Sequence, residues 1–292
     1  MKKNNFPKHC FVLLLSFFTT TALCAQELEE VVWPATMYQF PEGDSVTVFA
    51  DTAYVRSFPS TTASKMGVVP GGTKVVFVKE ESVQKISGFA APWVKVRYLN
   101  NSVSQEGYIW KGLLALGSAK RSGKQFLYGV DHVIPNADKD MGPACYMKVK
   151  VLDSVNKLLG ATSWELKSSS EASYTEFKSL GGMGLEGVTD IVRMMFSGEA
   201  CGIPTDYVYF GWTGTGFLPL PGKMVESDAG AFYHGEELFF PSEKGGQPGK
   251  IIKVIEDEEV LEEIDKKTGE PKTKKTKSKE VYSWDGKTAV KL

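Results

Sequence analysis

Few side chains here are able to do covalent or metal chemistry. Histidine occurs three times, at His9, His132 and His234, and cysteine four times, at Cys10, Cys24, Cys145 and Cys201. Zinc requires three or four close ligands, and neither a His-x-x-x-His nor a Cys-x-x-Cys spacing is present. No Gly-x-Ser-x-Gly and no phosphate-binding loop occurs. Gly211-Trp212-Thr213-Gly214-Thr215-Gly216 follows an apolar strand-like run and precedes Phe217-Leu218-Pro219, which makes it a hairpin turn, not a helix start. Asn136, Asp138 and Asp140 stand at alternate positions as in a calcium loop, but Met141 replaces its glycine and Met147 its bidentate acid, so the run reads as a polar turn. His234 beside Glu236 and Glu237 has the residue types for acid–base work, without a partner spacing to support it. These spacings assign no catalytic residue, cofactor or metal.

Binding chemistry is better represented. Tyr54, Phe58, Tyr98 and Trp110 lie in one stretch and are the candidate ligand-binding residues: aromatic rings in a shallow groove stack on sugars and short peptides. The competing assignment is core or edge packing, which is expected of Trp93 and Tyr108. Arg56 is expected to tie a turn together through carbonyl hydrogen bonds.

The elements holding these aromatics are short and β-like. Val46–Ala50, Tyr54–Ser57, Met66–Val69 and Thr73–Val78 are separated by Phe58-Pro59-Ser60 and Pro70-Gly71-Gly72, and Trp93–Tyr98 and Glu106–Trp110 follow. The alternation and turn spacing predict a small antiparallel barrel over 45–116. Residues 117–123, rich in Gly, Ser and basic side chains, read as a linker. Residues 124–292 continue in period-two runs (146–152, 207–212, 251–255, 280–284) and read as a second antiparallel β domain, a sandwich or propeller-like sheet. Val188–Met195 suits a helix or a strand, and Asp285-Gly286 a two-residue hairpin turn. The lysine-rich segment 266–279 is expected to be a flexible loop, either a solvated tip or an attachment to an anionic surface, with Glu256–Glu259 nearby to neutralise it. The fold class is therefore all-β.

The first 25 residues read as an export signal. Lys2, Lys3 and Lys8 precede an apolar core from Cys10 to Ala22, and Ala22-Leu23-Cys24-Ala25 allows cleavage after Cys24 or Ala25. Acylation of Cys24 is the alternative, disfavoured by bulky Leu23. Residues 26–44 are a linker or the first edge of the barrel. An exported chain retains Cys145 and Cys201, which form one disulfide or remain as two buried thiols. No later run is long enough for a transmembrane helix. With 34 basic against 35 acidic residues overall, and three lysines in the leader, nucleic acid is not an expected partner. The sequence does not give an oligomeric state.

The barrel residues resemble the bacterial SH3-like family. Its usual opening, roughly Leu-Asn-Val-Arg-Ser-Gly-Pro-Ser, is matched by Ala53, Val55, Arg56, Ser57, Pro59 and Ser60. Gly72-Thr73-Lys74-Val75 matches its turn and strand, Trp93, Lys95 and Val96 its third piece, and Gly107-Tyr108-Ile109 its closing strand. Tyr54 stands where the family often has asparagine, and Phe58 replaces the turn glycine. The resemblance implies a secreted module that attaches to cell-wall peptide or glycan, or to an envelope protein. Such modules often accompany a cysteine peptidase or amidase, but Gly142-Pro143-Ala144-Cys145-Tyr146 lacks the Asp-Cys-Ser context of NlpC-type peptidases. Three readings follow: an exported non-enzymatic binding protein, a cell-wall hydrolase with its active site in 124–292, and a purely structural or protein-interaction role.

Overall fold

A computed structural model describes residues 33–136, 143–167, 172–264 and 266–292. The leader, residues 26–32 and positions 137–142 of the calcium-like run lie outside the described residues.

Six strands make the first sheet: β1 (Ser45–Thr47), β2 (Thr52–Arg56), β3 (Lys65–Pro70), β4 (Lys74–Ile86), β5 (Phe89–Asn100) and β6 (Val103–Trp110). Their order, β1-β4-β5-β6-β2-β3, curls the sheet around Val48, Val55, Val75, Val94, Val96 and Ile109, all buried. Gly67 on β3 closes the curl: a Cβ there would lie 2.7 Å from the Tyr98 hydroxyl, so only glycine lets the edge strand pass over that ring. The expected SH3-like module is present as a curled, half-barrel sheet.

A second, four-stranded sheet runs β10-β9-β8-β7, from β7 (Gly117–Arg121), β8 (Lys124–Ile134), β9 (Ala144–Leu152) and β10 (Leu158–Glu165). The third has eight strands in sequence order: β11 (Tyr174–Gly181), β12 (Asp190–Ser197), β13 (Thr205–Trp212), β14 (Phe217–Asp228), β15 (Phe232–Phe239), β16 (Lys250–Ile264), β17 (Pro271–Trp284) and β18 (Ala289–Lys291). From Gly117 onward each strand of these two sheets pairs with its chain neighbour, an antiparallel meander. Phe126, Tyr128, Val149 and Val151 of the smaller sheet share one core with Val192, Met194, Phe196, Phe210 and Trp212 of the larger, so these faces make a sandwich. On the other face of the large sheet, Ile191, Tyr209, Leu238, Ile251 and Trp284 pack under Leu185, Val188 and Phe240.

Three expectations are corrected. The segment read as a linker is β7, paired with β8 from Gly117↔Tyr128 to Arg121↔Lys124. Its small residues serve packing, since a Cβ on Gly117 would meet Phe177 Cβ at 2.6 Å. The segment read as a flexible basic loop is mostly β17, in register with β16 so that Lys277, Lys275 and Lys274 oppose Glu256, Glu258 and Glu259. Opposite charges directly across a ladder stabilise strands that have little apolar area. Of the two readings open for Val188–Met195, the strand holds: the segment contributes to β12, whose Val and Ile content favours β structure.

The third correction concerns the separation of barrel and second domain that a linker implies. The core that fills the sandwich continues into the barrel's outer face through Phe89, Ala91, Trp93 and Trp110, with Ala35, Met37 and Tyr38 inserted between. Lys150 Nζ, buried at the same seam, donates to the Phe49 carbonyl (3.0 Å) and to Asp51 Oδ1 (2.7 Å) and lies 4.6 Å from the Phe49 ring centroid. Gly72, at φ +78°, leaves room for Leu152 and Asn156. Barrel and sandwich are fused across an apolar seam.

Candidate binding surfaces

The β2–β3 hairpin carries the barrel's exposed aromatics. Alternation along β2 sends Ala53 and Val55 inward and Tyr54 outward, opposite Val68 of β3. Tyr54 is 42% exposed, Phe58 69%, Met66 47% and Val68 52%, a concentration of apolar surface on one small hairpin. Lys65 Nζ sits 3.6 Å from the Tyr54 ring centroid, and Arg56 Nη1 donates to the Ala63 carbonyl at 2.7 Å, which pins the loop bearing Phe58. Arg56 thus performs the turn-tying expected of it. The surface offers aromatic and aliphatic contact area edged by a cation.

The four-aromatic groove read from the sequence does not assemble. Tyr98 is 3% exposed, inside the barrel, and its hydroxyl donates to Gln105 Oε1 at 3.1 Å. Burial also raises its pKa above the ordinary tyrosine value. Trp110 is 7% exposed, and its indole N–H is shared between the Gln84 and Ala91 carbonyls, each at 3.0 Å. Both rings are structural, leaving Tyr54 and Phe58 at the surface. Trp93 is core, as expected, and Tyr108 half-buried.

The cysteines are corrected too, since both are free thiols. Cys145 is buried on β9 with Sγ 3.7 Å from Met147 Sδ, whereas Cys201 is exposed in the turn between β12 and β13. Burial pushes the Cys145 thiol up to about 12, so it stays protonated and unreactive at neutral pH.

Polar groups gather elsewhere. Asp131 receives Lys148 Nζ, the Ser163 hydroxyl (3.1 Å) and His132 Nδ1 (3.2 Å), while the His132 ring stacks on Tyr146. Serine here bonds the carboxylate and not the imidazole, which is the wrong connection for activating a nucleophile. His234 Nδ1 lies 2.6 Å from Asp257, and Glu236 pairs with Lys253 at 2.8 Å. Neighbouring strands thus occupy the acid–base candidates. A cavity of about 220 Å3 joins the barrel to the sandwich, with Asp51 and Lys150 converging on it. A larger cleft, lined by Trp164, Tyr207, Lys223, Glu236 and Lys253, lies within the sandwich. Its residues come from β10 and β13–β16, so no local motif announces them. Among the described residues no group of three or more His, Cys, Asp or Glu is placed to hold a metal, and no helix is long and apolar enough to cross a membrane.

No curated protein and no solved structure matches the chain. The family model for the bacterial SH3 domain matches residues 51–115, a span running from the hairpin bearing Tyr54 to the strand that ends at Trp110 and just beyond. The N-terminal module of this chain is a bacterial SH3 domain.

Proposed function

We propose that this is an exported, non-enzymatic binding protein whose SH3 barrel engages peptide or glycan of the cell envelope through the β2–β3 hairpin. One observation carries the reading: Tyr54, Phe58, Met66 and Val68, all exposed, lie on one hairpin of a module whose family often binds cell-wall components. Stacking of sugars or peptide side chains on such rings is favourable because one face is apolar and the edges are polar. The leader argues for export. The buried, protonated Cys145 and the serine–carboxylate connection at Asp131 argue against a hydrolase in the C-terminal region.

Co-sedimentation with purified sacculi tests the proposal. The protein should pellet with the wall, and Tyr54→Ala combined with Phe58→Ala should return it to the supernatant without changing its melting temperature. Wholly soluble unaltered protein, or unchanged pelleting of the double variant, would overturn it. Zymography on wall substrate tests the non-enzymatic part, where a cleared zone would count against it.

A further inference from the structure

The cleft in the sandwich has a volume of about 440 Å3, within the range that holds small ligands. It opens where the end of β10 faces a bulge in the β13–β14 pair, between Tyr207↔Lys223 and Tyr209↔Leu220. Bulges redirect side chains, and this one depends on Gly222, where a Cβ would approach the Tyr207 carbonyl to 2.8 Å. Two cations beside the cleft are neutralised: Lys253 by Glu236 at 2.8 Å and Arg193 by Glu176 at 2.8 Å.

Lys223 differs. Its ammonium rests 4.7 Å from the Tyr207 ring centroid, and the Arg193 guanidinium lies 5.3 Å from the same centroid. Among the described residues no carboxylate comes within ion-pair distance of it. Burial first, and then the Arg193 charge, pulls its pKa below that of an ordinary lysine, against the opposing charges of Glu237, Glu243 and Glu236. A half-buried ammonium beside a second cation, with space in front of it and no carboxylate in direct contact, can take a ligand anion as its partner. Trp164, tilted against Phe210 at 5.1 Å, and Met224 supply apolar lining, while Glu165 and Asp206 offer acceptors for amide N–H groups.

We propose that this cleft is a second binding site, separate from the barrel, for the free carboxylate end of a short peptide. Lys223 pairs with the carboxylate and Trp164, Tyr207 and Met224 contact the aliphatic side chains.

Titration calorimetry with N-acetyl-alanyl-alanine and with its C-terminal amide tests this on the unaltered protein. The acid should bind, and the amide about tenfold more weakly or less, the loss expected for a charge-assisted hydrogen bond. Lys223→Gln should reduce acid binding to the amide's level, and Lys223→Arg should retain it. Equal binding of acid and amide, no binding of the acid, or acid binding indifferent to Lys223→Gln in a folded variant would each overturn the proposal. The acid–amide comparison needs no substitution, so it decides even if a variant fails to fold. Tyr54→Ala with Phe58→Ala should leave this titration unchanged, which separates it from the fate of the barrel's proposed wall binding.

Discussion

Trp110→Ala distinguishes an aromatic that holds the barrel to the sandwich from one that meets a ligand. The ring is 7% exposed, packs edge-on to Phe89 at 5.2 Å between centroids, and lies so close over Gly112 that a Cβ there would come within 2.3 Å of it. Truncating a buried tryptophan costs about 3–5 kcal/mol in lost transfer energy and cavity formation. Losing the N–H shared by the Gln84 and Ala91 carbonyls adds about 1 kcal/mol. The total, about 4–6 kcal/mol, is a large part of the 5–15 kcal/mol by which domains are commonly stable. At about 2–4 °C per kcal/mol for a protein of this size, the melting temperature should fall by roughly 10–20 °C. Trp110→Phe, which keeps a ring but not the donor, should cost about 1–2 kcal/mol. Calorimetric or circular-dichroism melts read both values. Trp110→Ala melting within about 2 °C of the unaltered protein would refute the assignment, because an exposed ring costs that little to remove.

Three further outcomes are expected. In protein beginning at Gln26, Ellman's reagent should titrate only Cys201 under native conditions and both thiols in denaturant; a native protein with no reactive thiol would revive the disulfide. Lys150 holds Asp51 below the ordinary carboxylate range, and Lys178 does the same for Glu176 against the opposing effect of burial. Because folding depresses these pKa values, their stabilisation is fully present above the unfolded carboxylate pKa of about 4 and is lost as pH falls through the folded values. Melting temperature should therefore be level near neutrality and decline below about pH 4; a rise on acidification would contradict this. Lys275→Glu with Lys277→Glu places like charges opposite Glu258 and Glu256, so amide hydrogen exchange should accelerate along the outer β16–β17 hairpin and remain unchanged at β8 and β9.

The barrel was legible because its inward faces follow strict alternation and its turns carry Pro59 and Gly72. The burial of Trp110 was not. Along β5 the even positions Val94, Val96 and Tyr98 fill the barrel, while the odd positions Phe89, Ala91 and Trp93 are covered by the sandwich. Tyr98 continues the inward row of Val94 and Val96, so alternation already places it in the barrel; Trp110, on β6, is covered from the barrel's outer side, and a strand does not reveal what covers that face. The lysines of β17 misled for a related reason: composition reports solvation, whereas strand formation there depends on partners on β16. Trp164, Tyr207 and Lys223 escaped notice because strands distant in the chain bring them together.

The meander after Gly117 bears on how the chain acquires its structure. Each of its strands finds its ladder partner next in line, so these sheets can grow by successive short loop closures. The barrel must instead bring Ser45 to Val76 and Arg56 to Tyr108. Closing those longer loops costs more entropy before contacts reward it. Since Phe89, Trp93 and Trp110 become covered only when both parts have formed, any species with one part unformed would leave these rings exposed to solvent and to other chains.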